Sequence, residues 1–256
     1  MRCGEHLGYE PTYESGFGSG QPMVRGLCEA CSAEPPPFAR AVAYAVYQDE
    51  VRSMLHLLKY DRVRAVAAPL GAMLAQAIEA AVSGIAQDAS RPAPSQMLVI
   101  AVPLFAARER ERGFNQTILM CDAALGLLRK CRPDLPLTAQ HAALARTRAT
   151  ESQFRLNPEA RRANLQGAFA VPQPERVRGK DILLVDDIFT TGSTARECAA
   201  TLLRAGAASV HVATLSRAQS ETSTLWDAAS FGATAAMAAQ GTHTSIQGTQ
   251  LPLALD

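Results

Sequence analysis

The chain has 256 residues, 48% of them hydrophobic and 19% charged, so it can bury a sizeable core, and disorder of the whole chain is excluded. Its 25 Lys and Arg residues against 24 Asp and Glu residues give a formal net charge of +1, so no global field favours nucleic acid or an anionic membrane. No apolar run reaches the roughly 18 to 20 residues that span a bilayer, and the first ten residues, MRCGEHLGYE, lack the apolar region of a signal peptide. We therefore expect a cytoplasmic protein without membrane insertion.

The first segment, residues 1–37, is rich in Gly, Pro and Ser and predicts no core of its own. It holds three of the six cysteines. Cys28 and Cys31 have the C-x-x-C spacing of a tetrahedral zinc knuckle, and Cys3 lies further upstream. These cysteines supply three thiol ligands where a closed structural zinc site needs four. The remaining cysteines do not suggest a disulfide framework, because two of them stand in helix-like segments.

A folded domain is predicted from residue 38. The stretch ARAVAYAVYQDE alternates like a short strand, and apolar residues then recur with helical spacing over 51–58 and 70–78. The composition of SGIAQDASRPAPSQ indicates a loop, and MLVIAVPLF after it reads as a short buried strand ending at Pro103.

The second half of the chain alternates strands with helices. A basic turn, AARERERGFNQ, leads into a helix, and a long polar stretch follows with little strand signal before GAFAV. DILLVDD predicts a strand, STARECAATLLRAG a helix closed by Gly206, and SVHVATLSRA a further strand. This order predicts an α/β domain over residues 38–217 with a mostly parallel sheet flanked by helices. Residues 218–256, rich in Ala, Thr, Ser and Gln, predict a poorly ordered tail.

One run, DILLVDDIFTTGSTARE, combines a buried strand, two adjacent acids and a turn that opens a helix. Ligands of open α/β sheets bind beyond the carboxyl ends of the strands, and a helix N-terminus favours an anion. Gly192 permits a close backbone approach, and the neighbouring hydroxyls add hydrogen-bond donors. The predicted phosphate turn is Thr190, Thr191, Gly192, Ser193 and Thr194.

The acids Asp186 and Asp187 decide which ligand this turn fits. The Lys of a Walker A loop is absent, and there is no G-x-G-x-x-G motif. Because carboxylates repel phosphate, they should face another part of the ligand, such as vicinal sugar hydroxyls or a divalent cation. A ribose 5-phosphate meets both demands. In the alternative interpretation, the acids cap the helix or stay solvated, and the threonines serve an ordinary turn.

LLVDDIFTTGST resembles the phosphoribosyl pyrophosphate (PRPP) motif of type I phosphoribosyltransferases. Three further stretches, VIAVPLFAARERERGFNQ, LARTRATESQ and ARRANLQGAF, resemble elements of the ComF family of phosphoribosyltransferase-like competence proteins in order and spacing. The resemblance covers about residues 40–217. It implies the type I phosphoribosyltransferase fold.

The resemblance also implies roles for individual residues. Asp186 and Asp187 would bind the ribose 2- and 3-hydroxyls, and residues 190–194 would hold the 5-phosphate. Arg108, Arg110 and Arg112 would neutralise pyrophosphate as it leaves, and magnesium would bridge the pyrophosphate oxygens. Arg146 and Arg148 would belong to a loop that closes on the bound sugar phosphate.

Simpler roles remain open for these basic and polar residues. The alternating charges of RERERG are also typical of a solvated helix start with local ion pairs. RGFNQ could serve mainly packing, with Phe114 buried and Asn115 and Gln116 holding the neighbouring loop.

Members of the ComF family often begin with a four-cysteine zinc element built from two C-x-x-C pairs. RCGEHL resembles the second half of the first pair, which implies a partner position before Met1 and a start that is placed too late. His6 as a substitute ligand, a water in the fourth position, or no metal at all are the alternatives for Cys3, Cys28 and Cys31.

Two functions follow from the resemblance. In the first, the protein transfers a phosphoribosyl group from PRPP to a nitrogen acceptor with release of pyrophosphate. In the second, it is a non-catalytic nucleotide-binding or single-stranded-DNA-binding accessory protein in DNA uptake, with its arginines on a phosphate-binding face. The sequence names no acceptor base, and aromatic residues for stacking are scarce, at 5%. A homodimer is compatible with such a fold, although no residue pattern specifies one.

Overall fold

The computed structural model describes residues 29–86, 94–149 and 163–218. Its helices and strands in chain order are α1 (Glu29–Ala33), β1 (Ala41–Val46), α2 (Asp49–Lys59), α3 (Ala67–Ala86), β2 (Met97–Ala101), α4 (Ala106–Arg112), α5 (Gln116–Cys131), β3 (Leu137–Ala139), β4 (Ala145–Arg146), β5 (Phe169–Ala170), β6 (Asp181–Phe189), α6 (Ser193–Arg204) and β7 (Ser209–Arg217).

Five strands form one parallel sheet in the order β1-β7-β6-β2-β3. From β2 the chain passes through α5 to β3 on one side, and from β6 it passes through α6 to β7 on the other side. The strand order therefore reverses between β2 and β6. The carboxyl ends of these two strands border the crevice where open α/β sheets bind their ligands. The predicted α/β class and parallel sheet are confirmed.

The sheet is buried on both faces, as expected for a parallel sheet covered by helices. Side chains of β6 alternate between two cores. Leu183 and Val185 pack with α2, α3 and α5, whereas Ile182 and Leu184 pack with α6 and the small β4–β5 sheet. The same alternation continues along β6, so its adjacent acids Asp186 and Asp187 face different surroundings.

Local structure differs from the sequence-based expectation at three places. The predicted basic turn over 106–112 is the helix α4, because Ala, Glu and Arg are good helix formers; Gly113 ends it with a φ of 78°. The predicted loop from Ser83 begins later, since α3 continues to Ala86 and Ile85 is buried in the core. Within the polar stretch, β4 pairs antiparallel with β5.

One helical stretch, Arg64–Ile85, is long and apolar enough to span a membrane by length and composition, with a mean hydropathy of 1.5. The expectation that no segment reaches this length is therefore wrong. Half of the stretch is buried inside the protein, and Leu70, Leu74 and Ile78 are fully enclosed in the core beside α5 and β7. This is the environment of a core helix.

The chain divides into two units, Met1–Gln219 and Ser220–Asp256. The second unit lies outside the described residues, and so do most of the predicted N-terminal segment and all of the predicted tail except its first residue. The boundaries of these segments therefore remain predictions.

Candidate functional site: the end of strand β6

The turn after β6 connects the strand to the first residue of α6, Ser193. Gly192 has a φ of 75°, which an L side chain rarely adopts. A Cβ at Gly192 would also lie 2.6 Å from the Phe189 ring, so the position excludes a side chain on two grounds. Since Gly192 occupies the N-cap position, no side chain caps the first turn of α6, and that helix end can accept an anion.

A small pocket that is partly open to solvent lies against this turn. It brings together the first acid of the pair, the predicted phosphate turn and a hydroxyl from the neighbouring strand. The Thr191 and Ser193 hydroxyls lie 2.9 Å apart and share a hydrogen bond beside it. The lining residues are Asp186, Ile188, Phe189, Thr190, Gly192, Thr194, Ala195 and Thr214.

The lining residue Thr214, on β7 beside Asp186, is only 1% exposed. Within the part of the chain that the structure describes, its Oγ1 has no hydrogen-bond partner. A buried hydroxyl without a partner is costly, so a ligand hydroxyl or phosphate oxygen would lower that cost. The sequence offered no signal for Thr214, which stands inside an apolar strand.

Asp187 points to the other side of β6 and is not among the pocket residues. Its Oδ2 lies 2.7 Å from the Lys59 ammonium and accepts a hydrogen bond from the Gln116 amide at 2.8 Å. Burial raises the pKa of Asp187, but the charge and hydrogen bond of Lys59, together with the hydrogen bonds from Gln116 and the Ile188 backbone, hold this pKa below its usual value. Asp187 is therefore a charged, buried carboxylate fixed by two donors.

Asp186 differs in both geometry and protonation. Its Oδ1 accepts a hydrogen bond of 2.8 Å from the backbone N–H of Asp187. Burial, together with the negative charge of Asp187, raises the pKa of Asp186 to about 8. The pair thus consists of one carboxylate held by protein donors and one carboxyl that lines a pocket and binds protons readily.

Residues of the RGFNQ stretch connect α4 to this site, and the packing role considered from the sequence is confirmed. Phe114 is buried, and Asn115 caps α5 by accepting from the Thr117 N–H while its amide donates to the Val102 carbonyl. Gln116 binds Asp187 and accepts a hydrogen bond from Arg112 at 2.7 Å. This stretch therefore fixes the loop after β2 relative to β6.

The five arginines predicted to contact phosphate separate into two groups. Arg112 turns away from the pocket toward Gln116 and the Tyr60 ring, and Arg110 is exposed on α4. Arg108 and Arg148 lie close enough to Arg146 to lower its pKa, although burial is the larger cause. The negative charge of Asp186 also acts on Arg146. The second group therefore gathers positive charge on the Asp186 side of β6.

Two members of that group are also held by the fold. The Arg146 guanidinium lies 5.5 Å from the centre of the Phe169 ring, which links β4 to β5. Arg148 donates hydrogen bonds to the carbonyls of Asn164 and Gln166 at 2.9 and 2.8 Å. These contacts place Arg146 and Arg148, the arginines of the predicted closing loop, near the pocket side of β6. Residues 150–162 lie outside the described part of the chain.

Of the predicted zinc ligands, the structure describes Cys31 on α1, where it is 1% exposed. Cys3 and Cys28 lie outside the described residues. Within residues 29–86, 94–149 and 163–218, no group of three or more His, Cys, Asp or Glu side chains is placed to hold a metal ion. The zinc site therefore remains a prediction about a segment that the structure does not describe.

The five-stranded parallel sheet and the strand–turn–helix site at its reversal point define a phosphoribosyltransferase-type α/β domain. The sequence model of the phosphoribosyl transferase domain matches residues 64–234. The chain therefore belongs to the phosphoribosyl transferase domain family, and its resemblance to the ComF family is confirmed by its relatives.

One relative, a DNA utilization protein YhgH from Salmonella typhi, is 35% identical over 204 residues, covering 80% of this chain and 82% of the relative. Competence protein F from Haemophilus influenzae is 26% identical over 194 residues, covering 75% of this chain and 78% of the relative. Among solved structures, hypoxanthine phosphoribosyltransferase from Trypanosoma cruzi has a TM-score of 0.36 at 14% identity, covering 62% of this chain and 72% of that one. This structural likeness is too low to carry an argument about the site.

Proposed function

We propose that this protein binds the magnesium complex of PRPP at the end of β6 and transfers its phosphoribosyl group to a nitrogen acceptor. The observation that carries the proposal is the pocket in which Asp186, the open N-terminus of α6 and the unpartnered Thr214 hydroxyl converge. A ligand with a phosphate next to sugar hydroxyls supplies an anion for the helix end and hydrogen-bond donors for a carboxyl.

In the proposed complex, the 5-phosphate accepts hydrogen bonds from the turn at residues 190–194, and the ribose hydroxyls donate to Asp186, the acid that lines the pocket. Arg108, Arg146 and Arg148 supply positive charge on the Asp186 side, where the pyrophosphate would lie. Magnesium would belong to the substrate and would offset the negative charge of its pyrophosphate, as is usual for this cation.

The proposed reaction needs no protein nucleophile. The bond from ribose C1 to the pyrophosphate oxygen breaks, and the electron pair leaves with pyrophosphate. A bond from C1 to the acceptor nitrogen forms, and the nitrogen releases its proton to solvent. Positioned cations stabilise the leaving charge, and fixed carboxyls stabilise the positive charge that develops on the sugar.

Calorimetric titration with magnesium-PRPP tests the site. The native chain should bind one equivalent, and an Asp186→Asn/Asp187→Asn double variant that is folded should bind at least about tenfold more weakly, since it loses both the carboxyl that lines the pocket and the neighbouring carboxylate that Lys59 and Gln116 hold. Absence of heat with the native chain, or equal binding by the folded double variant, would refute the assignment. A screen of nitrogen bases for PRPP-dependent release of pyrophosphate then identifies the acceptor.

A second candidate function, a non-catalytic role in DNA uptake, is favoured by the names of the relatives, DNA utilization protein and competence protein F. The grouping of Arg108, Arg146 and Arg148 would serve DNA phosphates as well as pyrophosphate. In this case, single-stranded DNA should bind with an affinity that falls steeply with salt, and no nitrogen base should release pyrophosphate. Salt-independent DNA binding would contradict an arginine-based contact.

A further inference from the structure

Lys59 is the last residue of α2. Its side chain contacts Asp187 on the face of β6 that is turned away from the pocket. The Lys59 and Asp187 side chains are only 14% and 11% exposed, so solvent screens their ion pair weakly. Leu55 and Leu58 are fully buried and anchor the same end of α2 in the core. The position of the Lys59 backbone is therefore fixed, and this keeps the ammonium next to Asp187.

Gln116 supplies the second donor to Asp187, and Arg112 determines how Gln116 is oriented. Arg112 can only donate, so it must face the amide oxygen of Gln116; the carboxylate of Asp187 can only accept, so it must face the amide nitrogen. The observed contacts at 2.7 and 2.8 Å satisfy both demands at once. Gln116 is buried, with 4% of the residue exposed. Its side-chain amide therefore has one orientation in which both Arg112 and Asp187 are hydrogen-bonded to it.

These contacts extend to the pocket through the backbone of β6. The Asp187 N–H donates to Asp186, whose carboxyl lines the pocket. The charged groups that act on Asp187 are Lys59 from α2 and Asp186 on its own strand, with neutral Gln116 from α5. Tyr47 lies near Lys59, and Arg146 lies near Asp186. A displacement of Asp187 would therefore also change the orientation of Asp186.

We propose that Lys59 is a positioning residue of the phosphoribosyl site, which acts through Asp187 by holding that carboxylate in place with the help of Gln116. This inference rests on the proposed function, because it names the residue that sets the geometry of the proposed PRPP site. Lys59 itself does not line the pocket. Nothing in the sequence motif at residues 181–197 indicates this dependence on a residue 128 positions before Asp187.

A double-mutant cycle tests the proposal with native protein, Lys59→Gln, Asp187→Asn and the double variant, each titrated with magnesium-PRPP. Lys59→Gln should weaken binding by about tenfold or more, because a charge-assisted hydrogen bond to a buried carboxylate is lost. In the Asp187→Asn background the same change should have an effect of less than about twofold, since residues that act through one another are non-additive. Lys130→Gln, at an exposed position of α5, should leave the affinity unchanged.

The pH profile provides a second readout that a purely structural role would not alter. Without Lys59, burial raises the pKa of Asp187, so PRPP binding by Lys59→Gln should weaken further as the pH falls from 8 to 6 relative to native protein. Should Lys59→Gln fail to fold, the double variant, which contains no buried charge at these positions, replaces it. That variant should bind about tenfold more weakly than native protein.

Three outcomes would overturn the inference while leaving the proposed function intact. These are native-like affinity of Lys59→Gln, an equal loss in both backgrounds, and, in the fallback experiment, native-like affinity of the double variant. If native protein itself shows no heat with magnesium-PRPP, the proposed function fails, and this inference fails with it.

Discussion

Strand β6 presents two neighbouring carboxyls to two different environments. Asp187 faces α2 and α5, where Lys59 and Gln116 occupy its Oδ2. Asp186 faces the pocket, the α6 turn and the arginines of the β4–β5 side. Adjacent identical residues on a strand can therefore serve different purposes, because strand geometry sends them to opposite faces. On one face the carboxylate is paired with protein side chains, and on the other the carboxyl lines a pocket.

The Asp187 face should show the largest effect on stability. Lys59→Met leaves a buried carboxylate without its cation, which we expect to cost about 3–5 kcal/mol of unfolding free energy at neutral pH. Urea denaturation followed by circular dichroism measures this loss. Lys130→Met, at an exposed position of α5, is the matched control and should change stability by less than about 0.5 kcal/mol. A Lys59→Met variant as stable as this control would contradict the buried ion pair.

The pocket turn should show the next largest effect. Gly192→Ala places a Cβ at a φ of 75° and against the Phe189 ring, so it should cost about 1–3 kcal/mol and weaken PRPP binding. Gly126→Ala is the control, because it lies within α5 and its Cβ would meet no atom within 4 Å. That change should be neutral or stabilise the protein by up to about 1 kcal/mol. Equal stability of the two variants would argue against a strained turn.

A smaller effect should appear in the pH dependence of stability, with opposite signs for the two acids. Burial raises the pKa of Asp186 to about 8, so between about pH 4 and 8 the folded protein keeps a proton that the unfolded chain has released. This group therefore reduces stability as the pH rises through that window. Asp186→Asn should raise the melting temperature relative to native protein by a few degrees at pH 8.5, and by less at pH 5.

Asp187 should behave in the opposite way. Its pKa is lowered in the folded protein, so its contribution to stability is present above the unfolded pKa of about 4 and is lost as the pH falls. Asp187→Asn should therefore be less stable than native protein at neutral pH, with a difference that shrinks below about pH 4. Thermal melts from pH 3 to pH 8.5 measure both variants. If Asp186→Asn and Asp187→Asn both raised, or both lowered, the stability at neutral pH, the difference between the two faces of β6 would be contradicted.

The smallest effect is expected at Thr214. Because its buried hydroxyl has no partner among the described residues, Thr214→Val should leave the ligand-free protein at least as stable as native protein and should stabilise it by up to about 1 kcal/mol. Thr201→Val is the control: the Thr201 hydroxyl accepts a hydrogen bond from Arg204 at 2.9 Å, so its loss should cost about 1 kcal/mol. Weaker PRPP binding by Thr214→Val would show that the hydroxyl contacts the ligand. A large loss of stability would indicate that Thr214 already has a protein partner.

The sequence predicts the elements that have strong local signals. The apolar runs of β2, β6 and β7, the helix closed by Gly206 and the turn at residues 190–194 are all recognisable without tertiary information. Strand β3 was missed because it has only three residues, all partly exposed, and no alternation. Helix α4 has a weak signal because AARERER has no buried residue and therefore no apolar spacing; the interpretation of RERERG as a solvated helix start is the one that agrees with the structure.

The ion pair of Asp187 could not be predicted from the β6 motif, since it depends on how α2 packs. One signal was nevertheless present. Lys59 follows the buried Leu55 by four residues, which places it near the same face of an amphipathic helix. A lysine on such a face requires a buried acceptor, because an unpaired buried ammonium is costly. Identifying Asp187 as that acceptor required the fold.

Calorimetric titration of native protein and Asp186→Asn with magnesium-PRPP tests the central claim most directly, that the Asp186 face is the ligand face. We expect one-to-one binding by native protein and binding at least about tenfold weaker by Asp186→Asn, with that variant as stable as native protein or more so. Binding by a stable Asp186→Asn variant at native affinity, or no binding by native protein, would contradict the account.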